Sequence, residues 1–242
     1  MAKCISKNEE KAERGARMTN RRSFGALVAA ALLFAGAPVV IAMAPYEATM
    51  GLVAKIFYFH VPAWFMMFGA IFVCGTASGI YVFSGRQAAD RLAVAAAEVA
   101  LLFGLMGLVT GPLWGRVSWG TWWPWDVRTT LALLLQMNFV AYLLLRQYGG
   151  PGSDRLAAGL AVFGMFNVPF VYVSVNVWRT LHPQTTVLPQ LPLSMGLPFL
   201  WCVLAYLALL FVMLEGRRRL EEHRAAVDRL RLACDDGYWD PR

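Results

Sequence analysis

The sequence predicts an all-α, polytopic membrane protein of six transmembrane helices with both termini in the cytoplasm. Three observations carry that prediction. The 242-residue chain is 58% hydrophobic and only 15% charged, with a mean hydropathy of +0.51, too apolar for a soluble domain of this size. Its charges gather between long uncharged stretches, and the basic ones sort onto alternate connections.

A spanning helix needs about 20 predominantly apolar residues. Six segments qualify: Phe24–Ala44, Ala63–Phe83, Leu92–Gly111, Thr129–Leu145, Leu156–Val177 and Leu197–Leu214. Backbone groups in lipid must pair within their own segment, which makes each a helix. The first is preceded by basic residues and ends on Ala42-Met43-Ala44, a triplet resembling a signal-peptidase site. Its apolar stretch is longer than the ~7–15 residues of a signal-peptide core, so a retained helix is expected. The chain divides into a basic tail at 1–23, a membrane domain at 24–214 and a charged tail at 215–242.

Orientation follows from the cations. Lys3, Lys7, Lys11, Arg14, Arg17, Arg21 and Arg22 precede the first span, and Arg86, Arg91, Arg146, Arg155 and Arg217–Arg219 fall on the same side. The opposite side carries Lys55, Arg116, Arg128 and Arg179. The positive-inside rule puts both tails in the cytoplasm. The net charge of +7 then reflects topology and attraction to anionic lipid, not nucleic acid.

The cysteines exclude two chemistries. Cys74 and Cys202 lie in spans, and Cys4 and Cys234 on the tails. No C-x-x-C or C-x-x-C-H is present, so neither a dithiol pair nor covalent c-type haem attachment is available.

Connections between odd and even spans share one membrane face. His60 precedes the second span, the run WGRVSWGTWWPWDVR lies between the third and fourth, and His182 lies between the fifth and sixth. Two of the chain's three histidines therefore share the outer face with Trp114, Trp119, Trp122, Trp123 and Trp125. The third, His223, lies in the charged tail as a solvated helix residue. Trp64, Trp178 and Trp201 read as headgroup anchors, but one or two rings per helix end suffice for that. Five in one connection at 112–128 exceed it.

Local spacing assigns roles. Trp119, Trp122 and Trp123 fit i, i+3, i+4, so a short interfacial helix would align them, ended by Pro124. Asp126, ahead of the fourth span, suits either an N-cap or a direct site role. Arg128 suits a carboxylate, that of Asp126 or of a ligand. His182-Pro183 opens a proline-bearing stretch, so this histidine is expected on an extended loop able to close over the tryptophans. Two imidazoles, an aromatic platform and cations on one face suit haem. Zinc fits less well, lacking further ligands.

These residues resemble a known family. The segment WGRVSWGTWWPWDVRTT is similar to the tryptophan-rich signature of the haem-handling proteins of cytochrome c maturation. KIFYFHVPAWFMM and VSVNVWRTLHPQ resemble the two histidine segments of the CcmC branch, haem exporter protein C, over about Phe24–Leu214. The resemblance implies a protein of the bacterial inner membrane that binds haem non-covalently and transiently, b-type, at its periplasmic face. It would promote haem transfer to a CcmE-type chaperone beside a CcmD-type subunit and a CcmA/CcmB-type ABC transporter, with no catalytic residues of its own. His60 and His182 match the family's axial ligands. Trp114, Trp119, Trp122, Trp123, Trp125 and Asp126 match the signature, and Arg128 a propionate partner. Val177 stands where many relatives have tryptophan, Thr129 where leucine is usual, and Pro-Gln follows His182 in reversed order.

An oligosaccharyl transferase would need acidic metal ligands outside, where only Glu47 and Asp126 stand. A b-type electron-transfer cytochrome holds haem between helices inside the bilayer, whereas these histidines lie at its edge. Glu98, within the third span, is expected to pair with Lys55, Asn138 or Asn167, or to serve an entry path. Gly104, Gly107 and Gly111 are expected to let helices approach closely.

Overall fold

A computed structural model describes residues 2–238, with side chains at 23–228 and 230–232. The basic residues of the first tail, Cys4, Cys234 and the last residues lie outside the described side chains. Six long helices are present: α1 Ala2–Met43, α2 Phe57–Ser84, α3 Gln87–Trp119, α4 Val127–Tyr148, α5 Ser153–Val177 and α6 Leu193–Tyr238. Each contains a stretch long and apolar enough to cross a membrane. No strand occurs among the described residues, and two short 3-10 turns, Leu52–Ile56 and Thr185–Gln190, stand in the connections.

The helices outrun the apolar segments that announce them. Hydropathy marks what lipid needs, whereas a helix continues until a residue stops it. Pro112 does not stop α3; it only withholds one N–H, which a membrane bundle tolerates. Gly120 does stop it, with φ at 75°, a left-handed value that favours glycine. The helix expected over Trp119–Trp123 is therefore not formed. Trp114 and Trp119 belong to α3, while residues 121–126 are non-helical. Likewise His60 stands within the first turns of α2. Both α1 and α6 cross the expected tail boundaries at 23/24 and 214/215 without a break.

α2 is the centre of the bundle, packed by α3, α5 and α6, while α4 lies against α5 and α3, and α1 against α6. Its buried Ala63, Met67, Ala70, Ile71 and Cys74 meet an alanine-rich face of α3 at Ala93, Ala96, Ala97 and Ala100. Small side chains let these helices approach closely, which is how spans gain packing without a solvent-driven hydrophobic effect.

Gly107 makes room for the Trp64 ring and Gly111 for the His60 ring, while Gly104 faces the Gln136 amide. The glycines thus accept side chains from neighbouring helices. Trp64 is correspondingly buried, not a headgroup anchor. Trp201 is exposed, and its Nε1 donates to the Leu33 carbonyl at 2.9 Å, which ties α6 to α1.

Two ion-pair groups lock helices together. At the end of the bundle formed by the start of α3, Arg146 of α4 bonds Asp90 of α3 at 2.6 Å and Asp154 of α5 at 2.7 Å. Glu98 pairs with Arg217 of α6, not with Lys55, Asn138 or Asn167. Lys55 instead donates to the Ala42 carbonyl at 3.2 Å. Asn138 and Asn167 bond backbone carbonyls of Leu160 and Phe163.

Candidate functional site

Helix direction brings the chemistry to one end of the bundle. The start of α2, the end of α3, the start of α4 and the segment after α5 all lie there. Between them is a chamber lined by His60, His182, Trp64, Trp114, Trp119, Trp122, Trp123 and Arg128. A second chamber adjoins it, sharing His60, Trp64, Trp114, Arg128 and His182 and extending toward Phe57, Tyr172 and Leu188. The two histidines thus face both spaces. Ligand sites commonly combine such apolar walls with a few placed polar groups.

The indoles differ in their positions. Trp114 and Trp119 meet edge to face at 4.8 Å, and Trp119 lies 6.3 Å from the His182 ring. Trp64 stands edge-on to His60 at 6.2 Å. Trp123 lines the first chamber, and its Nε1 is buried with no hydrogen-bond partner. Trp125 is 77% exposed and lines neither chamber. The wall is therefore built by Trp64, Trp114, Trp119, Trp122 and Trp123, with Trp64 a member that its spacing from the tryptophan run had hidden.

Hydrogen bonds fix how each imidazole is presented. The Thr110 hydroxyl donates to the Met106 carbonyl at 2.7 Å, as threonines within helices do. With its proton committed, Thr110 Oγ1 accepts from His60 Nδ1 at 2.9 Å. His182 Nδ1 lies 3.0 Å from the Pro183 carbonyl, which can only accept. In both rings Nδ1 carries the proton and Nε2 carries the lone pair, the form that ligates a metal.

Asp126 holds the segment that carries His182. Its Oδ1 accepts from the Thr129 N–H and hydroxyl, each at 2.9 Å, capping α4. Its Oδ2 accepts from the Thr180 hydroxyl and, at 3.2 Å, from the Leu181 N–H. Thr180 in turn accepts the His182 N–H at 3.0 Å. Burial works against the charged carboxylate, but the donors from Thr129, Thr180 and Leu181 outweigh it and hold Asp126 below the usual range. Arg128 turns to α5, donating to the carbonyls of Val171 and Tyr172 rather than to Asp126. Its charge adds to burial in pushing His182 down to about 4, against the opposing Pro183 bond. His182 is accordingly a neutral base at neutral pH.

Among the described residues no cluster of three or more His, Cys, Asp or Glu could hold a bare metal ion. Two imidazoles with Nε2 unshared beside a wall of indoles instead suit a flat aromatic ligand that brings its own metal and most of its ligands.

Fold and site together define a six-span membrane protein whose bundle end carries a paired-imidazole, indole-walled chamber. The family of haem exporter protein C, CcmC, matches residues 9–232. The haem exporter protein C of Bradyrhizobium diazoefficiens is 35% identical over 216 residues, covering 82% of this chain and 81% of that one. That of Escherichia coli K12 is 33% identical over 172 residues, 69% of each. A ccmC-like mitochondrial protein of Marchantia polymorpha is 30% identical over 181 residues, 73% of this chain and 78% of that one. The chain belongs to the CcmC family, and with it to the haem-handling components of cytochrome c maturation.

Proposed function

We propose that this chain takes custody of haem at the periplasmic face of the bacterial inner membrane, with both termini cytoplasmic, and passes it to a CcmE-type haem chaperone. His60 and His182 would supply Nε2 from the chamber lining, and the indoles of Trp114, Trp119, Trp122 and Trp123 would stack against the porphyrin. The observation carrying this reading is the pair of half-buried histidines with Nδ1 committed and Nε2 unshared on one tryptophan-lined chamber. The unpartnered Trp123 Nε1 and the Arg128 guanidinium are the polar groups a carboxylated ring would meet there.

His60 and His182 would together hold the haem iron, an arrangement that would favour non-covalent, transient holding over oxygen chemistry. The chain supplies no catalytic residue in this reading. Positioning the ring for the chaperone's nucleophile is enough to raise the rate of that bond formation. A CcmA/CcmB-type ABC transporter and a CcmD-type subunit complete the proposed assembly. Trp122 and Trp125, 57% and 77% exposed, are the rings available to the chaperone.

The test is the Soret spectrum and haem content of the purified chain. Replacing His60 or His182 by alanine is expected to shift the spectrum and lower the yield. Wild-type spectra and content in both variants would exclude axial ligation.

A further inference from the structure

We propose that Thr110 and Thr180 are the positioning residues of the haem site, one for each histidine. Thr110 sets the tautomer and aim of His60, and Thr180, held by Asp126, sets the backbone from which His182 projects. The proposal rests on the reading that these histidines ligate haem iron.

Thr110 sits on α3 and reaches across to the first turns of α2. Its hydroxyl proton is spent on Met106, so toward His60 it can act only as an acceptor. That compels Nδ1–H and leaves Nε2 for a ligand. The His60 ring can lie there because Gly111 has no side chain; a Cβ at that position would stand 3.2 Å from His60 Cε1. A second hydrogen bond on the far nitrogen also raises the basicity of a ligating imidazole.

Thr180 works through the main chain. Its hydroxyl donates to Asp126 and accepts the N–H of His182, while the Leu181 N–H reaches the same carboxylate oxygen. Three consecutive residues are thereby fastened to the first turn of α4. The Asp126 carboxylate is occupied by Thr129, Thr180 and Leu181, so it acts by fastening this segment rather than by touching haem.

The experiment uses the full chain in detergent, with haemin as the probe. Nitrogen NMR of histidine-labelled, haem-free chain reads the tautomers directly. Thr110→Val is expected to scatter the His60 tautomer, raise the haem midpoint potential and release haem about 10- to 100-fold faster, the usual effect of losing such a partner. Thr180→Val is expected to keep both tautomers but add a five-coordinate, high-spin component as His182 leaves the iron. Thr110→Ser and Thr180→Ser should restore wild-type behaviour, because serine keeps the hydroxyl. Should a valine variant fail to fold, the alanine variant is compared with serine in the same way.

Valine variants with wild-type tautomer, potential, spectrum and off-rate would overturn the proposal. So would serine variants as damaged as the valine ones, which would trace the effect to packing. A scattered tautomer in Thr110→Val with unchanged haem binding, alongside unchanged binding in His60→Ala and His182→Ala, would place the failure in the ligand reading itself, and the proposal would fall with it.

Discussion

Replacing Gly107 by alanine puts one methyl group where the fold has allowed a tryptophan. A Cβ built there stands 2.5 Å from Trp64 Cε2 and Nε1 and 3.0 Å from Cζ2, whereas ordinary contact begins at 3.4 Å. The ring must therefore retreat by about 1 Å, from the difference of those distances. It has little freedom to do so, since His60 lies edge-on at 6.2 Å on one side and Phe68 at 6.0 Å on the other. Overpacking of this kind costs ~1–3 kcal/mol. Alanine returns ~0.8–1 kcal/mol through its better helix propensity, so the net loss is ~0–2 kcal/mol, toward the upper end where the ring cannot move. At that upper end the folded-to-unfolded ratio shifts by roughly 30-fold. Because the displaced ring presses on His60, haem retention should fall together with stability. The assay is thermal unfolding with a parallel haemin titration of wild type, Gly107→Ala and Gly79→Ala. Gly79 has nothing within 4 Å of its added Cβ, so its variant should be neutral or more stable. The reasoning is refuted if Gly107→Ala keeps wild-type melting and haem retention, or if Gly79→Ala loses as much.

Three further outcomes are expected. His182 holds at about 4 against an ordinary 6.5, so the unfolded chain binds its proton first as the medium is acidified. Its contribution to stability is complete above pH 6.5 and is lost as pH falls from about 6.5 to about 4; melting curves across that window should flatten in His182→Gln, and equal slopes would disprove it. Arg146→Met leaves Asp90 buried without its 2.6 Å partner and should cost ~3–5 kcal/mol; a melting temperature within a degree or so of wild type would contradict this. Trp119→Ala should weaken haem binding while Trp125→Ala, outside both chambers, should leave it intact and lower chaperone loading; equal haem loss in the two would undo the distinction.

The six spans were legible because lipid imposes a length and an apolarity that few other constraints mimic. Helix ends were less so. The apolar segment of the third span was placed at Leu92–Gly111, yet α3 runs on through Pro112 and stops at Gly120, where the chain turns through a positive φ. The sequence put two histidines and the tryptophan run on one face, and the structure brings His60, His182 and four of those five indoles to one chamber. Trp64 was hidden because an indole in a hydrophobic segment reads as an anchor until Gly107 is seen opposite it. Glu98 found Arg217 far along the chain, a pairing for which hydropathy and short-range spacing carry no signal. Thr110 and Thr180 were equally silent, since an isolated threonine is ordinary in any helix or loop, and only the direction of its proton gives it a role.

The carboxylate of Asp126 serves two masters, the first turn of α4 and the segment that bears His182. Those two parts cannot loosen independently. Any excursion that swings His182 away from the chamber takes donors from Asp126, and any fraying at the head of α4 releases the histidine. The Thr129 amide, bonded to that carboxylate, and the Thr130 amide, bonded to the Asp126 carbonyl at 3.0 Å, should therefore exchange their hydrogens in step with the Leu181 and His182 amides. A helix terminus here doubles as the latch of the site, and its exchange rate is a clock for how often the site opens.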